Sequence, residues 1–416
     1  MPLLNNKVFL RFLILALIIY CAFEAQGNGD FFIFSSAGGD LSSHLDIYKK
    51  DYFDGYHYYY SVLFAIFLNP LYTLPFYPVK LAWLLLNVFL FLHLMYLLYQ
   101  SEPINKLSQK RKSWFMILAF VFSFRFFHQN IHASQITILI LWCCIYGLLL
   151  IHKGKAISGA AILAMGINIK LLPIVFLPYL LYRGYFKAFV FCVLFYASAL
   201  ILPSLIIGHT YNMGLLTSWF NLINPTNQMH VLDVDERSFH GLSTLLSTLL
   251  VAEVPDPLAL DVPRNILNIS IPALTKVLLI VRLALVSYTL YFMRSLPFKN
   301  AASNRNQAFE IAYILLIIPL IFPHQQHYAF LFIVPAFLCC LLYVIQNHSA
   351  VKASEKKTLI ILMIFIYLCG SLSVLLGEFD YYYQHFKILT YGALLVIPLL
   401  AWVFNRSHQT SIRHTP

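Results

Sequence analysis

At 416 residues, a composition of 60% hydrophobic and only 11% charged residues with a mean hydropathy of +0.74 excludes a water-soluble globule. It describes a polytopic integral membrane protein. The formal charge of +11 would suit nucleic acid in a soluble protein. In a membrane protein, basic residues gather in short cytoplasmic loops, so the excess reads as orientation, with no nucleic-acid partner.

Lys7 and Arg11 precede an apolar run that is long enough to cross and has no small-x-small cleavage signal, which makes 8–26 a retained first span. About 20 apolar residues carry a helix through the roughly 30 Å hydrocarbon layer. By that ruler further spans fall at 79–99, 114–128, 134–151, 187–207, 271–293, 308–322, 328–345, 358–376 and 387–404. Residues 58–76, rich in Tyr, Phe and Pro, are read as an interfacial or re-entrant segment. A crossing there would move Lys106, Lys110, Arg111 and Lys112 outside and invert every later loop. Between Lys155 and Arg183 lie two apolar halves, each too short to cross, broken at Asn168-Ile169-Lys170 and Pro173. The expected fold is an all-α polytopic membrane protein with about 10–12 transmembrane helices.

With both termini cytoplasmic, 18 of the 28 Lys and Arg fall in cytoplasmic loops and 13 of the 17 Asp and Glu fall outside. Function is therefore expected on the external face. Two external segments have the length to build a site: 27–78, and 208–270 with an apolar helix at Phe239–Ala252. No internal repeat is visible, so one domain over 1–416 is expected. The seven cysteines all lie in apolar runs without metal-ligand spacing, and neither a disulfide nor a cysteine metal site is expected.

Asp30 follows the first span in Gly29-Asp30-Phe31-Phe32-Ile33-Phe34. Aromatic surroundings raise a carboxylate's pKa toward that of a useful base, which sets Asp30 above the ordinary solvated carboxylates Asp40, Asp46, Asp51 and Asp54. Lys170, a cation at a helix break, is either a snorkelling side chain or a partner for phosphate. Arg125, Asn130 and Gln135 lie in one outward polar turn, and His324 and His327 in another. Without a metal-ligand motif, such turns suit an anion or a sugar better than a metal.

In this order the residues resemble the polyprenyl-phosphate-mannose-dependent mannosyltransferases of glycosyltransferase family 87, in the GT-C superfamily. The pieces that match are Gly29-Asp30-Phe31, Tyr60-Ser61 with Phe64, Pro70 and Leu74-Pro75, Trp83 and Asn87, Asn130 with Gln135, Asn168-Ile169-Lys170-Leu171-Leu172-Pro173, Ser238 with Gly241, and His327-Tyr328. Two departures occur: Tyr60-Ser61-Val62 stands where the family has Tyr-x-Pro, and Gln135-Ile136-Thr137 where it has Gln-x-Asn.

The resemblance implies a GT-C-like fold in a bacterial inner membrane. It implies transfer of a hexose, typically mannose, from a polyprenyl-phosphate donor to a glycolipid or glycan acceptor, with Asp30 as the base. Lys170, Arg125 and His327 then face the leaving phosphate, and His324, Gln135, Asn130, Tyr60 and Ser238 complete the substrate site. The donor phosphate carries one fixed charge, so neither a metal nor another cofactor is required. A lipid or solute transporter and an envelope glycan polymerase or ligase are the competing classes. The first would often show a related repeat in its second half, and the second more cations in the large loop than Arg237 and Arg264.

Overall fold

The computed structural model describes residues 7–52, 56–224, 227–252, 254, 256, 259–299, 301, 303–347 and 352–412. Among them there is no β-strand, and one isolated bridge joins Phe239 to Gln326. The chain begins with α1 (Lys7–Glu24), α2 (Asp30–Ser42), α3 (Val62–Tyr72) and α4 (Phe76–Tyr99). With 11 residues, α3 reaches only about 16 Å at 1.5 Å per residue, half a crossing, a length that suits an interfacial segment.

A single turn, α5 (Glu102–Asn105), leads to α6 (Gln109–His132), α7 (Thr137–His152), α8 (Ala156–Ile169) and α9 (Phe176–Tyr182). Then follow α10 (Phe186–Ile201), α11 (Pro203–Ile207), α12 (His209–Ile223), α13 (Gln228–Leu232) and α14 (Leu242–Leu250). The chain ends with α15 (Ile271–Met293), α16 (Asn304–Ile321), α17 (Val334–Gln346), α18 (Ala353–Ser371), α19 (Asp380–His385) and α20 (Ile388–Ile412).

Each expected span coincides with a helix or a continuous helical run. Among the described residues, six runs are long and apolar enough to cross by themselves: Phe76–Tyr99, Phe186–Ile207, Ile271–Met293, His327–Gln346, Ala353–Leu375 and Ile388–Ser407. The protein is an all-α polytopic membrane protein. Two of the boundaries that differ from expectation have a local cause. α6 continues to His132 because no breaker interrupts Gln129-Asn130-Ile131. The helix in the large loop starts only at Leu242, since Phe239 is held in its bridge and Gly241 is extended.

The chain divides into two compact units. One comprises Met1–Leu98, Phe127–Asn224 and Pro297–Lys299, the other Tyr99–Phe126, Pro225–Leu296 and Asn300–Pro416. In the first, α7 and α8 form a hairpin closed at Gly154, whose φ is 79°. Gly147 and Gly159 let the two backbones touch: a Cβ on Gly159 would lie 2.5 Å from the Gly147 carbonyl oxygen. The hairpin sets the start of α7 beside the end of α8. α2 and α3 approach at Gly38, where a Cβ would meet the backbone of Leu68 and Asn69 at 2.9 Å. Phe34 meets Tyr60 at 4.7 Å between ring centroids, and further along Asn69 reaches the Ser42 hydroxyl at 2.6 Å. The two helices therefore run in the same direction, with their N-termini at one end. In the second unit α16 is buried for most of its length and packs on α15, α17 and α20.

Candidate active site

Asp30 is the first residue of α2, and the backbone before it is what delivers it. Gly29 has a φ of 60°, and a Cβ there would lie 2.9 Å from Ser134 Oγ and 3.0 Å from the Ala133 carbonyl oxygen, so only glycine allows this passage. The Asp30 N–H donates to the Ala133 carbonyl at 2.9 Å. The linker from α1 is held by Lys80, which donates to the carbonyls of Glu24 at 3.0 Å and Gly27 at 2.5 Å. From α4, Trp83 Nε1 donates to the Ser134 carbonyl at 3.0 Å. In this frame Gln135 Nε2 makes a short hydrogen bond to Asp30 Oδ2.

Lys170 arrives from the other side. It ends α8 in an extended conformation, φ −144° and ψ 129°, and its Nζ lies 5.6 Å from the centroid of the Tyr60 ring, a cation–π contact. The adjoining residues are tied in parallel. The Ser61 N–H donates to the Ile169 carbonyl at 3.4 Å, and the Ser61 hydroxyl donates to Asn168 Oδ1 at 2.9 Å. The same hydroxyl caps α3 by accepting from the Phe64 N–H at 3.1 Å. The N-termini of α2, α3 and α7 thus gather at the end of α8, where their partial positive charges favour an anion.

Burial raises the Asp30 carboxyl to about 6, with the Lys170 charge and the Gln135 hydrogen bond pulling against it. Lys170, in the break between helices, is lowered by burial to about 8, opposed by the Asp30 charge. Both side chains remain partly accessible, whereas Tyr60, Gln135 and Asn168 are buried. The arrangement offers one accessible base and one accessible cation in a fixed polar frame.

The second unit holds a different aspartate. Asp233 is fully buried and accepts from the His324 N–H at 2.9 Å and from Thr244 Oγ1 at 2.8 Å, and His324 Nδ1 lies 2.9 Å from its Oδ1. His324 Nε2 lies 2.6 Å from His230 Nδ1. Burial alone would raise Asp233, but the His324 charge and these hydrogen bonds outweigh it and hold the carboxyl below its usual value. Among the described residues, no group of three or more His, Cys, Asp or Glu side chains is arranged to hold a metal ion.

Of the residues expected at the site, Asp30, Lys170, Gln135, Tyr60 and Asn130 lie in the first unit; Asn130 is buried, and its carbonyl accepts from the Gln135 N–H at 2.8 Å. Arg125, His324, His327 and Ser238 lie in the second. There Arg125 donates to Ser373 Oγ at 2.9 Å, His327 Nε2 pairs with the Gly370 carbonyl at 2.8 Å, and Ser238 donates to Glu236 at 3.1 Å. One aromatic expectation changes: Phe32 is exposed, and of the aromatic residues following Asp30 it is Phe31 and Phe34 that pack against Trp83. Tyr58 is fully buried with its hydroxyl on the Ser61 carbonyl. Asn168 opens the Asn168-Ile169-Lys170 break that matches the family but was given no substrate contact of its own, and Ser134 was signalled only by its place beside Gln135. Asp54 lies outside the described residues.

The profile of glycosyltransferase family 87 matches residues 58–323, well over half the chain. That stretch contains Tyr60, Arg125, Asn130, Gln135, Lys170 and Ser238, while Asp30 precedes it and His324 and His327 follow it. No curated protein and no solved structure matches the chain. An all-α membrane protein with this match belongs to glycosyltransferase family 87.

Proposed function

We propose that this protein transfers a hexose, mannose in our reading, from a polyprenyl phosphate to a hydroxyl of a glycolipid or glycan, with inversion at the anomeric carbon. The observation that carries the reading is the accessible Asp30 carboxylate held by Gln135 on one side, with the accessible Lys170 ammonium entering from the other. Asp30 takes the proton of the acceptor hydroxyl as its oxygen bonds to the anomeric carbon. The bond from that carbon to the phosphate oxygen breaks, and its electron pair leaves with the polyprenyl phosphate. Lys170 and the gathered helix N-termini stabilise the charge that develops there. One displacement suffices, and no glycosyl-enzyme forms.

The segregation of basic and acidic loops supports a reaction on the non-cytoplasmic face, with both termini cytoplasmic; the bacterial inner membrane is what the family resemblance implies. Both compact units are read as parts of one glycosyltransferase domain, in which 27–78 and 208–270 are the external site-forming segments.

The test is to supply purified protein in liposomes with radiolabelled polyprenyl-phosphate mannose and an acceptor glycolipid. Release of polyprenyl phosphate together with labelled glycolipid supports the reading. Translocation of the intact donor would make the protein a transporter. Inertness toward this donor with activity on a lipid-linked oligosaccharide would make it a polymerase or ligase.

A further inference from the structure

Hydrogen-bond donors and acceptors are segregated around the Asp30 centre. The carboxylate of Asp30 and the amide oxygen of Gln135 come from the start of α2 and the turn before α7. Lys170 Nζ and Asn168 Nδ2 come from the end of α8. Asn168 is 5% exposed, and its Nδ2 is buried with no hydrogen-bond partner among the described residues. Gln135 Oε1 and Ser134 Oγ are buried in the same condition. Leaving such groups without partners is costly, so a cluster of them beside accessible charges points to a ligand that completes them.

Ser61 fixes which end of the Asn168 amide is used. Its oxygen already accepts from the Phe64 N–H at 3.1 Å, so its own proton goes to Asn168 Oδ1 at 2.9 Å, and the donor end of the amide is left over. An N–H two residues from an ammonium selects a group that only accepts, preferably an anionic oxygen. A ligand hydroxyl, which must also donate, matches the Gln135 and Asp30 side instead.

We propose that Asn168 is a phosphate-binding residue of this site, giving its Nδ2–H to a non-bridging oxygen of the donor phosphate while Lys170 supplies the charge. This rests on the reading of the donor as a prenyl phosphate. Asn168→Asp separates it from a purely structural role, because a carboxylate still accepts from Ser61 but offers the ligand an acceptor in place of a donor.

The experiment measures binding of farnesyl phosphate, with farnesol as the phosphate-free comparison, to the full-length wild type, Asn168→Asp, Asn168→Ala and Lys170→Met in detergent micelles. Melting temperatures are recorded alongside. Asn168→Asp is expected to weaken farnesyl phosphate at least tenfold, at least as much as Asn168→Ala does, with farnesol unaffected. Wild-type affinity in Asn168→Asp together with a loss in Lys170→Met would overturn the role of Asn168 and leave the donor reading standing. If wild type binds farnesyl phosphate no better than farnesol, the donor reading itself falls, and this proposal with it. Should Asn168→Asp not fold, the comparison passes to Asn168→Ala against Ser61→Ala. Each breaks the Ser61–Asn168 hydrogen bond and only the first removes the donor, so equal affinity in the two would overturn the proposal.

Discussion

Asp30, the first residue of α2 and partly accessible, and Asp233, which follows α13 and is fully buried, lie one in each compact unit, and their carboxyls move in opposite directions. Asp233 accepts from a backbone N–H and a hydroxyl with an imidazole beside it, and it is held ionised below its ordinary value. Asp30 receives the Gln135 amide and the more distant pull of Lys170, and burial wins. Burial costs both carboxylates, and whether the neighbouring charge and the hydrogen bonds together outweigh it decides the sign. A fully satisfied carboxylate organises structure. A carboxylate with spare acceptor capacity and a pKa near 6 can take a proton at neutral pH.

The largest expected effect breaks this comparison at Asp233. Asp233→Asn leaves the His324 imidazole facing an amide in a buried setting and should cost about 3 kcal/mol of stability, the upper end of the usual range for leaving buried donors without their acceptor. Because the carboxyl is lowered in the folded state, its contribution is present above the ordinary carboxylate range and is lost as pH falls through its folded value. Thermal melts at pH 7 should show a large drop that shrinks at strongly acidic pH. A wild-type melting temperature would refute the structural role.

Asp30→Asn should do the reverse. Turnover falls by about a hundredfold or more, the usual cost of losing a general base, while the donor still binds. The raised carboxyl contributes stability only below its unfolded value and loses it as pH rises through about 6. Removing the charge should therefore stabilise the protein at pH 7 by about 1–2 kcal/mol, a range that discounts the full shift for partial exposure. Near-normal turnover in Asp30→Asn would move the base elsewhere.

Hydropathy made the helices legible, since a long apolar run must form its own hydrogen bonds inside a bilayer. The break at Lys170 was legible too, because an ionisable residue and Pro173 interrupt an apolar pair. Gly29-Asp30 stood out as a dipeptide, but the reason for the glycine lies at Ser134, more than a hundred residues on. The contrast between the two aspartates was hidden for the same cause: the imidazole that holds Asp233 belongs to His324, 91 positions away. Periodicity cannot report such contacts. Nor could it distinguish Tyr58, buried in the core, from Tyr59 beside it, which keeps partial exposure.

Gln135 tests the electrostatics at smaller amplitude. For the wild type, kcat/KM should rise with pH through about 6 as Asp30 ionises and fall through about 8 as Lys170 loses its proton. Gln135→Leu removes a hydrogen bond that favours the carboxylate, so the acidic limb should shift upward and several-fold activity should be lost near pH 6. An unchanged limb would mean that Gln135 does not tune Asp30.

The smallest effects belong to the remaining acidic residues of the same loop. Asp40 is paired with Lys50 at 2.8 Å near the surface, and Asp46 accepts from Ser218 at 2.6 Å and from the Tyr48 N–H at 3.1 Å. Partly exposed pairs of this kind contribute about 1 kcal/mol or less, because solvent screens them and ordering long side chains offsets the attraction. Asp40→Asn should therefore change the melting temperature marginally and leave turnover within about twofold of wild type. Asp46→Asn should behave alike, since an amide oxygen still accepts from Ser218. Together they ask whether activity follows negative charge in the loop or one carboxylate in one frame. A loss in either variant comparable to that of Asp30→Asn would favour the former and dissolve the distinction on which the assignment of Asp30 depends.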